Sequence, residues 1–259
     1  MKLKNWIAAA FGAAAVMAAG PASATAVGLE LMLLVDVSGS VDSAEYDLQK
    51  NGYVNAFNSV AVQNAILASQ GGAIAVTYIE WSGNTQRATQ VGWTLINSVA
   101  SAQQFATALS GVSRAFAGNT AIQDAIGLSY GAFGTEVGGA SNGFESLRQV
   151  IDVSGDGADN NSATFCAAGC GRNAALAGGV DTINGLAILG EAGLQTYYDS
   201  FVKGGTGGFV IAATSFADFS RAIQDKLIAE IRVPEPTSLA LVGLALLGAG
   251  VARRRVTRR

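Results

Sequence analysis

The chain has 259 residues, 50% of them hydrophobic and 14% charged, which is enough for one sizeable core and too apolar for a disordered protein. Its formal net charge is −3, and it contains no histidine, which excludes Ser-His-Asp triads, Cys-His dyads and His-based zinc or haem sites. With 33 glycines against 3 prolines, its turns and close backbone approaches are built largely with Gly.

At the N-terminus, Lys2 and Lys4 precede an apolar run from Trp6 to Ala19, and Ala22, Ser23 and Ala24 supply the small residues that a signal peptidase requires. The pattern predicts a signal peptide over 1–24 and a mature chain from Thr25. A single domain is expected over 25–233. It carries 9 basic and 18 acidic side chains, so its net charge is near −9, which argues against nucleic acid as a partner.

Along that domain "LELMLLVD" (29–36) reads as a buried strand. Asp42, followed three residues later by Glu45, then marks a helix start through about Ser59. "AIAVTYIEW" (73–81) is a second strand, and "QRATQVGWTLI" (86–96) alternates as an antiparallel edge strand would. Helices are expected over about 102–109 and 121–133. A third buried strand and turn follow in "LRQVIDVSGDG" (147–157), then a strand at 182–189, a helix near 194–202, a strand at 208–214 and a terminal helix over about 216–231. This alternation predicts an α/β fold: a doubly wound, mostly parallel sheet with one antiparallel edge strand and helices on both faces.

The C-terminus combines Pro234, Glu235 and Pro236 with an uncharged run from Thr237 to Ala252 and a basic cluster at Arg253 to Arg255. The run would rise only about 24 Å as a helix, against a hydrocarbon core of about 30 Å, so spanning a bilayer needs snorkelling arginines or local thinning. These residues, over 234–259, resemble the PEP-CTERM sorting signal of Gram-negative bacteria. The resemblance implies a transmembrane helix, processing by an exosortase at the inner membrane, and delivery to the cell surface or extracellular matrix. A plain tail anchor is the alternative.

In such sheets ligands sit beyond the carboxyl ends of the strands. Asp36, Ser38 and Ser40 leave the first strand there at alternate positions, so one carboxylate and two hydroxyls can converge. Thr120 stands at a helix start and Asp156 just past another strand. Hard oxygens of this kind suit Mg²⁺, with Mn²⁺ or Ca²⁺ as further candidates, rather than zinc. A turn that merely caps the next helix is the plainer reading of the first three.

"DVSGS" with a later Thr and a later Asp-Gly resembles the metal-ion-dependent adhesion site of von Willebrand factor type A domains. More narrowly, "VDVSGSVD", "IAVTYIEWSG", "VIDVSGDGADNN" and "TINGLAI" resemble an exported bacterial branch of these domains classed as a domain of unknown function. The resemblance implies a Rossmann-like fold and a cation held by Asp36, Ser38, Ser40, Thr120 and Asp156. It also implies a sixth position for an acidic group of a protein or surface-polymer partner. Asp152 competes with Asp156 for the distal role; Gly157 reproduces the family's Asp-Gly turn and favours Asp156.

Cys166 and Cys170, the only cysteines, fall in an expected loop and are expected to pair as a disulfide beside Asp156 in an exported protein. Asp159, Asn160, Asn161, Glu80 and Trp81 are placed at the rim of the site, either shaping a partner surface or serving equally well as ordinary solvated loop residues, while Trp93, Tyr197 and Tyr198 read as packing residues. The expected function is a surface-sorted, cation-dependent binding module rather than an enzyme. A Mg²⁺-dependent hydrolase and a metal-free matrix protein are the alternatives. Against the hydrolase, position 38 is a serine rather than a second carboxylate, and no Walker-type lysine loop is present.

Overall fold

A computed structural model describes residues 24–232. The expected signal peptide, but for Ala24, and the Pro234–Glu235–Pro236 tail with the transmembrane helix expected there lie outside the described residues, among which no helix is long and apolar enough to cross a membrane. In chain order the elements are β1 (Thr25–Val27), β2 (Leu29–Asp36), α1 (Ser43–Asn58), α2 (Val60–Leu67), β3 (Ile74–Trp81), β4 (Arg87–Ile96), α3 (Val99–Ser110) and α4 (Ile122–Ser129). They continue with β5 (Phe144–Ser146), β6 (Gln149–Gly155), α5 (Cys170–Ala177), β7 (Thr182–Ile188), α6 (Leu194–Tyr197), β8 (Gly204–Gly205), β9 (Val210–Ala213) and α7 (Phe219–Ile231).

The main sheet runs β4-β3-β2-β6-β7, with β9 pairing parallel and β8 antiparallel to β7. The β2–β3, β2–β6 and β6–β7 ladders are parallel and β3–β4 is antiparallel, which gives the doubly wound sheet with its antiparallel edge strand. β2 is buried along its whole length because both faces are covered. Its odd-numbered residues Leu31, Leu33 and Val35 pack with Tyr53, Phe57, Phe105, Phe219 and Leu227, from α1, α3 and α7. Met32 and Leu34 pack on the other side with Ile122, Ile126, Ala175 and Tyr198.

The helix start at Asp42 is a full capping box: Asp42 accepts from the Glu45 N–H and the Glu45 carboxylate accepts from the Asp42 N–H. The expected helix ends at Asn58, and a second one follows at once, because Ser59 leaves helical geometry and caps α2 by accepting from the Val62 N–H. The expected helix over 121–133 is α4 followed by 3₁₀ turns over Tyr130–Val137, and the segment at 198–202 widens into a π turn. The segment after Cys166, read as a loop, becomes helical at Cys170. β1 and β5 form a separate two-stranded parallel pair that local pattern did not indicate.

Candidate metal centre

β2 ends at Asp36, and the chain turns through Val37 to Ser40 before the α1 cap. That turn is built locally: Asp36 Oδ1 accepts from the Ser38 N–H at 2.7 Å. Gln49 of α1 donates to the Asp36 carbonyl at 2.9 Å. Arg114 fastens the same turn from across the site, donating to the carbonyls of Val37 and Ser38 at 2.9 and 2.7 Å. Its own segment is held by Glu80, whose carboxylate accepts from the Ala115 N–H at 2.8 Å and from Tyr46 Oη at 2.8 Å.

Thr120 reaches the turn from a second loop. Gly39 N–H donates to the Gly118 carbonyl at 2.7 Å, and Thr120 Oγ1 lies 3.3 Å from Ser38 Oγ. A third loop, after β6, joins them. The Thr120 N–H donates to Asn160 Oδ1 at 3.0 Å, and the Thr120 carbonyl accepts from Asn160 and Asn161 at 2.9 and 3.0 Å. Ser40 Oγ donates to Asp156 Oδ1 at 2.7 Å and lies 3.2 Å from Ser38 Oγ. Asp36, Ser38, Ser40, Thr120 and Asp156 therefore form one continuous set of oxygens contributed by three loops.

Asp152 does not join them. It is fully buried in mid-strand, 2.7 Å from Lys226 Nζ on the α7 side of the sheet, so of the two candidate aspartates only Asp156 stands at the site.

Two features of the donor set suit a hard divalent cation. Asp36 Oδ2 is buried without a hydrogen-bond partner, which normally costs a fold about 1–3 kcal/mol or more for a charged group. The hydroxyl contacts at 3.2 and 3.3 Å are longer than the roughly 2.7–2.8 Å usual between hydroxyls, so these oxygens are close but weakly engaged. Burial pushes the Asp36 carboxyl up to about 7, with the Asp156 charge adding to it and the Ser38 hydrogen bonds and Arg114 opposing it. Burial also raises Asp156, helped by Glu45 and Glu191 and opposed by the Ser40 bond. Two carboxylates with surplus negative potential and a set of neutral hydroxyls are the chemistry that Mg²⁺ or Mn²⁺ neutralises. Among the described residues no cluster of three or more His, Cys, Asp or Glu offers an alternative metal site.

Glycine keeps the centre open. A Cβ on Gly155 would sit 2.7 Å from both Asp36 Oδ2 and Tyr198 Oη. Of the residues placed at the rim, Glu80 and Trp81 are instead fully buried, because β4 and the Arg114 segment cover the end of β3. Asp159 serves structure as well as rim, accepting from the Gln123 N–H at the start of α4 at 2.8 Å. The loop beyond it is pinned by buried Asp124, which accepts from the N–H groups of Ala163, Thr164 and Phe165. Cys166 and Cys170 are disulfide-bonded at the end of this loop. Sequence reading missed Arg114, Gln49 and Asp124, because each acts on a segment distant in the chain.

A family model described as "Protein of unknown function (DUF1194)" matches residues 26–235, and one described as "PEP-CTERM protein-sorting motif" matches residues 232–256. No curated protein matches the sequence. Among solved structures, proximal thread matrix protein 1 from the mussel byssus is similar at 15% identity and a TM-score of 0.56, over 79% of this chain and 48% of that one. The pilus adhesin SpaC from Lactobacillus rhamnosus GG is similar at 16% identity and a TM-score of 0.55, over 79% of this chain and 30% of that one. The SpRpn10 VWA domain is similar at 15% identity and a TM-score of 0.51, over 80% of this chain and 100% of that one. The chain thus spans about half the length of the mussel protein, and at these identities the likeness is one of fold. A second structure of the mussel protein, at 14% identity and a TM-score of 0.53 over 79% of this chain and 48% of that one, is described as having a zinc-occupied MIDAS motif.

Proposed function

The chain belongs to the DUF1194 family, has a von Willebrand A fold and carries a PEP-CTERM sorting motif, and from that premise we propose that it is an exported, surface-sorted module that binds a partner through a divalent cation. The observation that carries this reading is the convergence of Ser38, Ser40, Thr120 and Asp156 from three loops at the end of β2, where Asp36 Oδ2 is buried without a partner. Asp36, Ser38, Ser40, Thr120 and Asp156 hold the ion, with Mg²⁺ preferred and Mn²⁺ or Ca²⁺ as substitutes. The zinc-occupied motif of the mussel protein, which shares this fold, supports a metal-binding reading.

The surroundings define what the ion does. Glu45 and Glu191 both raise the Asp156 carboxyl, so without a cation this pole repels an acidic partner. A bound cation would neutralise the local charge and let the site take a carboxylate from a protein or surface polymer. Selectivity for an acidic group then depends on the metal. This is binding chemistry: the site has no histidine, and Asp36 lacks the second carboxylate two positions on that phosphoryl transfer through an aspartate would use.

Export proceeds through residues 1–24, and the tail over 234–259 passes through an exosortase and the inner membrane of a Gram-negative cell before release to the surface or matrix. The test is thermal melting of the purified protein. Millimolar Mg²⁺ or Mn²⁺ should raise Tm, EDTA should reverse the rise, and Asp36→Ala should abolish it; identical curves in all three would refute the proposal. Turnover of generic phosphoesters in Mg²⁺ above the Asp36→Ala background would favour a hydrolase instead.

A further inference from the structure

The most densely charged part of the interior lies away from the metal centre, between β6, β7 and α7. Lys226 and Asp152 have no exposed surface, and Glu230 is 1% exposed. Lys226 Nζ lies 2.7 Å from Asp152 Oδ1 and donates to Glu230 Oε1 at 2.6 Å. Asn184, opposite Asp152 in the β6–β7 ladder, donates Nδ2 to the same Glu230 oxygen at 2.9 Å. The Phe209 ring flanks Nζ, its centroid 6.0 Å away.

An ordinary ion pair accounts poorly for this cluster. Two carboxylates face one ammonium, and neither Asp152 oxygen nor Glu230 Oε2 has a well-formed hydrogen bond. Buried ion pairs recover little beyond their desolvation cost even when every lone pair is satisfied. Burial, then the Asp152 charge, pushes Glu230 up to about 8, so it holds a proton at neutral pH. An amine is thus held against a carboxyl group with an acid-base group touching the amine and water excluded, the arrangement that acyl transfer needs.

We propose that Lys226 and Asp152 condense into an intramolecular amide bond as the chain folds, with Glu230 as the catalytic proton carrier. A proton passes from Nζ to Asp152, leaving a neutral amine beside a carboxylic acid. The Nζ lone pair attacks Asp152 Cγ, forming the C–N bond. Glu230 gives its proton to the departing hydroxyl and takes one back from Nζ, ending as it began. The Cγ–O bond breaks and one water leaves, with no change of oxidation state. In the product one unpartnered oxygen is gone, and the single amide hydrogen faces Glu230 Oε1. The closed cluster keeps water from reversing the step.

The test is mass spectrometry of the purified full chain after trypsin. Trypsin cuts after Arg148, Arg172, Arg221 and Arg232, so the linked protein should give a branched species of residues 149–172 joined to residues 222–232. Its mass should equal the two peptides less one water, with Lys226 uncut. Recovery of 149–172 at its own mass, together with cleavage at Lys226, would overturn the proposal without any variant having to fold. In Glu230→Gln, with far-ultraviolet dichroism as the check on folding, the branched species should fall by about 10²-fold or more. An undiminished yield from that variant would overturn the role given to Glu230.

Discussion

Asp152 and Asp156 stand four residues apart, one in the middle of β6 and one just past its end, and the protein treats them in opposite ways. Asp152 points to the α7 side, where the chain supplies its own partner, the Lys226 amine, at 2.7 Å. Asp156 lies past the strand end, where its partner is a serine hydroxyl at 2.7 Å and its charged neighbours are acidic. The first carboxylate is neutralised from within and the second is left for an ion from outside. The side chain is the same in both, so the difference lies in which element packs above it.

Removing the interior lysine should do the most damage. Lys226→Met leaves the Asp152 carboxyl buried without its partner and should cost about 3–5 kcal/mol in urea unfolding. Adding Asp152→Asn should recover part of that loss, because the two sites are coupled. At the outer site the carboxylate matters through the ligand. Wild type should gain about 2.7 kcal/mol at a cation concentration of about 100 times Kd, and Asp36→Ala should gain nothing, as read by melting with and without EDTA.

Gly155 separates the two aspartates. Gly155→Ala forces a Cβ to 2.7 Å from Asp36 Oδ2 and Tyr198 Oη. It should cost about 1–3 kcal/mol and weaken the response to cation while leaving the Lys226 cluster intact. The smallest effect concerns Glu30, at the other end of β2 from Asp36. Burial and the adjoining Glu136 push its carboxyl up to about 8, from an ordinary value of 4.5. Its neutral form therefore contributes stability that is complete below about 4.5 and lost as the pH rises through about 8. Urea midpoints measured across that range should fall with rising pH in wild type and flatten in Glu30→Gln.

Much of the fold is legible in the residues themselves. The apolar run of β2, the Asp42–Glu45 cap and the alternation of β4 are local signals, and each forms as its pattern dictates. The helix end near Ser59 formed as expected, but α2 beyond it was not anticipated, although serine is a good cap. α5 was hidden by the disulfide, because two cysteines in a glycine-containing stretch read as a loop while the Ala-rich turn after Cys170 is helical. Glu80 looked like a rim residue because its strand ends at the site. Only the packing of Tyr46, Gln90 and Ala115 around it shows a buried anchor.

The sequence alone determined the alternation of strands and helices, the spacing that lets one turn present Asp36, Ser38 and Ser40, and the address-like patterns at both ends. These follow from side-chain periodicity and backbone preference over a few residues. The tertiary structure decided that Thr120 and Asp156 meet that turn, that Arg114 clamps it, and that Asp152 faces a lysine of α7. Those outcomes depend on β6 lying next to β2 and on which helix covers each face, and strand order is a long-range packing choice that no short window of residues encodes.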